Sequence, residues 1–206
     1  MQNEVDASGL DKFDKSEQMN EMSLFDQWYI GKHLGVNLSK KQSEELHQCY
    51  EHIYTIISKI PKSFMHRDFH SRNLMVTSEK NPGVLDYQDA VIGPITYDIV
   101  SLLKDCYVAW DDETIYSMTS SFFSKIEKRH EIVYDEFEYW FDITGLQRHL
   151  KAIGIFSRLN YRDNKSNYLG DIPRTLNYVT KMLEKYSELS ELKRIFSEIN
   201  LDKTYD

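Results

Sequence analysis

The chain has 206 residues, 41% of them hydrophobic and 28% charged, with a formal net charge of −8 at pH 7. This size supports one globular domain with a real core, or two small ones. The acidic balance argues against a nucleic-acid-binding protein that uses a broad basic surface. Residues 1–20 lack the apolar segment of a secretory signal, and no apolar run reaches the roughly 20 residues that cross a bilayer. We therefore predict a cytoplasmic protein without a membrane anchor.

The N-terminal segment, residues 1–21, is polar and shows no hydrophobic periodicity. We predict a poorly ordered lead-in there. Order is predicted to begin with a helix that Ser23 caps, with Asp26 at the third position after it. Gly35 is a residue that can end this helix.

A second helix is predicted to begin near Ser39, where Gln42 completes a capping box. Apolar residues then recur at steps of three and four, which indicates one buried helix face, and Pro61 ends the helix. Cys49 lies in this apolar pattern and Cys106 in a later one. We expect both to be buried free thiols of a reducing compartment, and no structural zinc site.

The segment that carries the chemistry is residues 66–73, here called the motif loop. It reads H-R-D-x-x-x-x-N. In kinases this pattern provides an Asp that orients and deprotonates an attacking hydroxyl, a position that Asp68 occupies here. The Asn at the end of the pattern and a downstream Asp hold Mg²⁺ on the nucleotide phosphates in kinases. Asn73 ends the pattern, and the acidic cluster 86–89 follows it.

Two short strands are predicted after the motif loop, at residues 74–76 and 83–85, joined by a turn-rich linker. In an antiparallel hairpin the start of the first strand lies beside the end of the second. Asn73 just precedes the first strand and Asp86 just follows the second. The hairpin therefore places an amide and a carboxylate side by side, and such oxygen ligands suit Mg²⁺.

The rest of the chain is predicted to be helical. The run from residue 99 to residue 107 is apolar nearly all round, which indicates a central buried helix. Further helices are expected at residues 113–128, 134–159 and 187–199, with a loop at 160–170 and another helix opened by Asp171 and Pro173. The pattern is that of a mainly helical fold with one small β-hairpin.

Several blocks of the sequence resemble one superfamily, that of the aminoglycoside phosphotransferases and choline kinases. Within it the chain is most similar to the bacterial kinases that phosphorylate N-acetylmuramate and N-acetylglucosamine at the anomeric position during peptidoglycan recycling. The resemblance covers about residues 22–179 and rests on blocks that agree in order and spacing, at 66–76, 83–90, 93–107, 145–156 and 158–163.

The resemblance implies the C-terminal lobe of a protein-kinase-like α+β fold. It also implies transfer of the γ-phosphate of ATP to the anomeric hydroxyl of an N-acetylated amino sugar, with Mg²⁺ as cofactor. The matching positions take these roles: Asp68 as catalytic base, Asn73 and Asp86 as ligands of the metal and its nucleotide, His66 as packing of the motif loop, and Asp98 as a tie from the following helix.

One part of such a kinase has no counterpart in the chain. An N-terminal lobe needs a strand-rich sheet, a glycine-rich loop over the phosphates and a Lys paired with a helix Glu. The residues before the first helix show no strand pattern and no close pair of glycines. We therefore predict a lead-in at 1–21 and a kinase-like C-terminal lobe at 22–206, inactive without an N-terminal lobe.

Candidate substrate contacts are a set of polar residues in and beyond the motif loop. A carboxylate or phosphate on the substrate would need cationic partners. The alternative for each is a local structural bond or a solvated ion pair. The candidates are His70, Arg72, Asp89, Arg148, Arg158 and Arg162.

Other functions stay open on this evidence. An aminoglycoside or a choline-type cation could be the acceptor, since the net charge of −8 permits an acidic cleft. A non-catalytic module that binds amino sugars is a further alternative. The face that normally meets an N-terminal lobe is expected to expose apolar side chains and to favour association.

Overall fold

The computed structural model describes residues 9–201, and these form two compact units. The first unit comprises residues 9–14 together with Ile57–Gly145. The second comprises Lys15–Ile56 together with residues 146–201. Of the predicted lead-in at 1–21, residues 1–8 lie outside the described residues.

Helices make up most of the described residues. The α-helices are α1 (Lys15–Leu24), α2 (Lys40–Lys59), α3 (Tyr97–Leu103), α4 (Asp112–His130), α5 (Tyr134–Asp163), α6 (Ile172–Lys185) and α7 (Ser190–Glu198). A π-helix, Phe25–His33, follows α1, and 3-10 turns lie at Ser71–Asn73, Ser166–Asp171 and Ser187–Leu189. Four short strands are β1 (Lys62–Met65), β2 (Leu74–Met75), β3 (Gly83–Val84) and β4 (Val91–Pro94). The predicted mainly helical fold class is confirmed.

The predicted hairpin is present as β2 and β3, which pair antiparallel with Leu74 opposite Val84. A second antiparallel pair, β1 with β4, was not predicted. β4 contains Gly93 and Pro94, which are weak strand formers. Gly93 leaves room for the Met65 side chain, because a Cβ there would lie 2.9 Å from the Cε of Met65.

The predicted beginning of order at Ser23 is wrong. Helix α1 already begins at Lys15, and the Ser23 hydroxyl donates to the carbonyl of Asn20 at 2.8 Å instead of capping a helix. The reason is that α1 buries polar residues that a search for apolar periodicity passes over. Glu21, only 6% exposed, accepts from the Gln147 amide at 3.0 Å and pairs with Lys151 at 2.8 Å.

Residues 11–13 are also structured, within the first unit. The carbonyl of Asp11 accepts from the backbone N–H of Ile92 at 2.8 Å, and the N–H of Phe13 donates to the carbonyl of Ile92 at 2.9 Å. The Phe13 ring packs edge-on against Tyr97, with ring centroids 5.5 Å apart. This segment therefore extends the β1–β4 sheet and contributes to a core cluster completed by Met65 and Val91.

The predicted capping box of α2 is confirmed. The Ser39 hydroxyl accepts from the backbone N–H of Gln42 at 3.2 Å, and the Gln42 side-chain oxygen accepts from the N–H of Ser39 at 3.0 Å. The helix runs from Lys40 to Lys59 and so ends just before Pro61. These bonds satisfy two of the backbone donors that every helix start leaves open.

Two other boundaries differ from prediction. Helix α3 stops at Leu103 instead of continuing to residue 107. Helix α5 continues to Asp163, so the first four residues of the predicted loop at 160–170 are helical, and the 3-10 turn Ser166–Asp171 occupies most of the remainder. Asp171 precedes α6 as predicted, but its side chain makes no capping bond.

Both cysteines are free, as predicted. Cys106 is buried, whereas Cys49 is only half-buried, and burial raises the pKa of the Cys49 thiol to about 11. Of the helices between residues 9 and 201, none has the length and apolar character to cross a membrane.

A half-buried acid in the second unit, Asp26, gives the folding stability a pH dependence. The Tyr50 hydroxyl donates to the Asp26 carboxylate at 3.2 Å, and burial raises the pKa of Asp26 above its usual 3.8. The folded protein therefore holds this proton more tightly than the unfolded chain does. The contribution of Asp26 to the free energy of unfolding falls as pH rises from about 3.8 through the raised pKa.

Replacing Asp26 by asparagine should remove this dependence, because the amide oxygen still accepts from Tyr50 but does not ionise. We expect the variant to gain stability relative to the unchanged protein as pH is raised from 4 to 7. Urea unfolding of both proteins at several pH values measures the difference. If the free energy of unfolding of the variant minus that of the unchanged protein stayed constant or fell between pH 4 and 7, Asp26 would not be the source of the pH dependence.

Candidate active site

The entrance of the motif loop is held by a carboxylate from α3. Strand β1 ends at Met65, and His66 follows with no exposed surface. The Asp98 carboxylate, 7% exposed, accepts from the backbone N–H of His66 at 2.8 Å and from that of Arg67 at 3.1 Å. Arg67 has a left-handed backbone, with φ of 77°, which costs free energy and needs such support. These bonds match the support role that the resemblance implies for Asp98.

The centre of the motif loop is held through the backbone of Asp68. Its carbonyl accepts from the N–H of His70 at 3.0 Å and from the side-chain amide of Asn73 at 2.9 Å. Within residues 9–201 no group donates a hydrogen bond to the Asp68 carboxylate. The fold thus fixes Asp68 through its main chain, and the role of its side chain as catalytic base stays a prediction.

Asn73 directly precedes β2, and Asp86 lies two residues after the end of β3. The N–H of Leu85 donates to the carbonyl of Asn73 at 3.0 Å, which adds one bond to the β2–β3 ladder. Asp86 comes next, exposed and with a left-handed φ of 65°. The predicted juxtaposition of the two residues therefore has a backbone basis, while their role as metal ligands stays a prediction.

The donor atoms at this edge fit Mg²⁺. A carbonyl can only accept, so the Asn73 nitrogen faces Asp68 and its Oδ1 is the atom left for another partner. One Asp86 oxygen accepts from Gln88 at 2.6 Å, which leaves the other oxygen. In the described part of the chain no cluster of three or more His, Cys, Asp or Glu side chains could hold a metal. A cation at this edge would therefore complete its coordination with water and phosphate oxygens, as Mg²⁺ commonly does.

The exit of the motif loop is held by a residue that the sequence analysis did not single out. Asp105 has no exposed surface, and its carboxylate accepts from the N–H of Ser71 and from the N–H of Tyr107, each at 2.8 Å. A charged residue at the end of an apolar run was the available signal, because a buried charge needs compensating bonds.

The predicted substrate contacts within the loop pack on one aromatic ring. The Arg72 guanidinium lies 3.6 Å from the centre of the Tyr107 ring, and the His70 ring meets it edge-on at 5.3 Å. The His66 ring, in turn, packs edge-on against Phe69 at 5.8 Å. Asp89 is exposed in the segment between β3 and β4. Contact of these residues with a substrate stays a prediction.

The three other candidate arginines belong to α5 in the second unit. Arg148 is buried and Arg158 half-buried. Arg162 is exposed and makes a two-pronged bond with Asp163, at 2.8 and 2.9 Å. This pairing holds the pKa of the Asp163 carboxyl below its usual value. Arg162 therefore already has a carboxylate partner, and substrate contact by the three stays a prediction.

Comparison with known proteins adds to this geometry. Residues 12–130 match the family described as "Phosphotransferase enzyme family". The chain is 40% identical over 193 residues to an N-acetylmuramate/N-acetylglucosamine kinase of Neisseria meningitidis serogroup B, covering 92% of this chain and 58% of that protein. It is 38% identical over 193 residues to a protein of the same name from Pseudomonas putida, covering 92% of this chain and 57% of that protein.

Among solved structures, an ADP-bound aminoglycoside phosphotransferase superposes with a TM-score of 0.46 and 19% identity, over 82% of this chain and 53% of that one. By sequence, the chain spans a little over half the length of the curated relatives that it matches.

Proposed function

Because the chain belongs to the phosphotransferase enzyme family, we propose that it forms part of an ATP-dependent sugar kinase. The acceptor is the anomeric hydroxyl of an N-acetylated amino sugar, N-acetylmuramate or N-acetylglucosamine. The observation that carries the proposal is the arrangement of Asp68, Asn73 and Asp86 around one short hairpin. The choice of acceptor is supported by the names of the relatives, which are 37–40% identical to this chain.

The chain's residues divide the chemistry among them. Asp68 accepts the proton of the anomeric hydroxyl while that oxygen forms a bond to the γ-phosphorus of ATP. The bond from the γ-phosphorus to the bridging oxygen breaks, and ADP leaves with the electron pair. Asn73 Oδ1 and Asp86 would hold Mg²⁺, which when bound neutralises charge on the phosphate oxygens. Asp98 keeps Asp68 in place by holding the two residues before it.

The product is a sugar 1-phosphate. We place the reaction in the recycling of peptidoglycan sugars in the cytoplasm, where a nucleotidyltransferase would consume such a product. The family resemblance, and not the geometry, motivates this placement.

A second part of the kinase is proposed to cover the hairpin edge. Four large apolar side chains there are exposed, Met75 (49%), Val76 (94%), Leu85 (50%) and Tyr87 (68%). Such a cluster is typical of a surface that meets another domain or chain. We propose that this surface meets the portion of the kinase that binds the nucleotide, and that residues 1–206 by themselves transfer phosphate slowly.

The proposal is tested with two proteins, the chain as it stands and a chimera. In the chimera the chain replaces the matched 58% of the Neisseria meningitidis kinase. Both are assayed with ATP, Mg²⁺ and N-acetylmuramate, and the sugar 1-phosphate is detected by phosphorus NMR. We expect product from the chimera and little from the chain alone.

Kanamycin and choline, offered to the same proteins, separate the alternative acceptors. If kanamycin or choline were phosphorylated preferentially, that compound and not the amino sugar would be the acceptor. A folded chimera that transfers phosphate to none of these acceptors, while the intact Neisseria protein does so in the same assay, would overturn the proposed function. Calorimetric binding of N-acetylmuramate without any turnover would instead favour a non-catalytic binding module.

A further inference from the structure

The motif loop is fixed at both ends by carboxylates that flank one helix. Asp98, in the first turn of α3, holds the loop entrance through His66 and Arg67. Asp105, two residues past the end of α3, holds the loop exit through Ser71. Since α3 is a single rigid element between the two acids, it sets the spacing between the two ends of the loop.

Asp105 is buried and hydrogen-bonded at both carboxylate oxygens. Its side chain has no exposed surface, and placing a carboxylate in the interior is unfavourable unless hydrogen bonds compensate. Each oxygen accepts one backbone N–H at 2.8 Å, from Ser71 and from Tyr107. Bonds of this kind to an ionised acceptor are stronger than neutral ones. The carboxylate therefore joins the motif loop to the segment that follows α3.

The same junction is reinforced by Tyr107. Tyr107 donates its backbone N–H to Asp105, and its ring packs against His70 and Arg72, the residues on either side of Ser71. Arg72 lies over the ring at 3.6 Å, and His70 meets it edge-on at 5.3 Å. The 3-10 turn Ser71–Asn73 therefore has two supports. The Tyr107 ring contacts the Arg72 side chain, and the Asp105 carboxylate accepts from the Ser71 N–H.

Asn73 is the last residue of that turn. Its backbone N–H donates to the carbonyl of His70 at 3.0 Å, and its amide nitrogen to the carbonyl of Asp68 at 2.9 Å. The direction of Asn73 Oδ1 is therefore set by the turn. If Ser71 lost its acceptor, the turn would loosen and the direction of Asn73 Oδ1 would no longer be fixed, although the Leu85 N–H would still hold the Asn73 carbonyl beside the second strand.

From this chain of contacts we infer that Asp105 is a positioning residue, which places Asn73 for metal binding through the Ser71 N–H. The inference rests on the proposed function only for the identity of the reaction that the metal serves. Residues that orient metal ligands typically change metal affinity or activity by about 10- to 100-fold when they are replaced. Asp105 is expected to fall in this range.

The informative variant is Asp105→Asn. The amide oxygen can accept from one of the two N–H groups, but the NH₂ group then faces the other donor, so one bond is lost with little change in shape. Tyr107→Leu removes the ring and keeps the backbone bond to Asp105, which separates the two supports. The matched control is Asp142→Asn, because Asp142 is 4% exposed in the same unit and pairs at 2.6 Å with Lys104, which lies outside the motif loop.

Two measurements test the inference. The first uses Mn²⁺ alone with the isotopically labelled full chain, and follows the broadening of the Asn73 and Asp86 signals by NMR. We expect the apparent Mn²⁺ affinity to fall about 10-fold in Asp105→Asn and to be unchanged in Asp142→Asn. The second measures the Mg²⁺ concentration that gives half-maximal turnover in the chimera, which should rise by a similar factor while the KM for the sugar changes little.

The outcomes separate the inference from the proposed function. Weakened Mn²⁺ binding in Asp105→Asn with no turnover in any protein would support the inference and reject the kinase assignment. Turnover with unchanged metal dependence in Asp105→Asn would reject the inference and leave the kinase assignment standing. Absence of Mn²⁺ broadening in the unchanged chain would also overturn the inference, because there would be no metal site for Asp105 to position.

Discussion

Replacing Asp68 by asparagine is expected to lower kcat for sugar phosphorylation about 10³-fold, within the range that loss of a general base produces. This corresponds to roughly 4 kcal/mol of transition-state stabilisation. Asparagine matches the shape of aspartate but cannot take the proton of the attacking hydroxyl. The KM values for ATP and sugar should change little, since the metal ligands stay in place. Steady-state kinetics of the chimera measure both quantities.

The fold should tolerate this substitution. The structural bonds of residue 68 go through its backbone carbonyl, which accepts from His70 and Asn73 and is unaffected by the side chain. We therefore expect the free energy of unfolding to stay within about 0.5 kcal/mol of the unchanged protein.

The matched control is Asp111→Asn at the N-cap of α4, where asparagine also caps well and activity should be retained. A loss of less than 10-fold in Asp68→Asn, or an equal loss in the control, would remove Asp68 from the role of base.

The features of the site that could be predicted from the sequence are those that depend on nearby residues. The hairpin follows from two short strands and a turn, and its register of Leu74 with Val84 brings Asn73 beside Leu85. The capping box of α2 likewise involves residues three apart. The family resemblance, which rests on local blocks of this kind, is confirmed by the match over residues 12–130.

What could not be predicted depends on partners far along the chain. Helix α1 is too polar to be predicted as packed from its own sequence, but in the fold Glu21 binds Gln147 and Lys151. Strand β4 contains two weak strand formers and is not predicted from its sequence, but its Gly93 leaves room for Met65. Asp105 is a charged residue near the end of the apolar run 99–107, and its burial depends on the N–H groups that Ser71 and Tyr107 donate to it. In each case the local pattern is polar or weak, and a contact more than 25 residues away or a buried hydrogen bond decides the structure.

The packing of α1 on α5 gives the largest stability effect that we expect. Gln147, Lys151 and Gly154 recur at steps of four and three along α5, so they share one face of that helix. The first two bind Glu21 of α1, and Gly154 meets Leu24 one turn further along. A Cβ at position 154 would lie 2.6 Å from both the Cβ and the carbonyl oxygen of Leu24. The polar bonds and the glycine thus bring the two helices close together.

Substituting Gly154 by alanine should therefore destabilise the protein by about 3 kcal/mol, since the obstacle includes backbone atoms that cannot rotate away. For a chain of this size, that corresponds to a fall in Tm of roughly 6–12 °C, which calorimetry measures directly. Gly170→Ala is the matched control, because no atom lies within 4 Å of the added Cβ and its φ is not left-handed. Alanine there should leave Tm unchanged or slightly raised, as the unfolded chain loses freedom. Equal changes in Tm for the two substitutions would mean that α1 does not approach α5 at Gly154. The residues before Ser23 would then be better described as the poorly ordered lead-in predicted from the sequence.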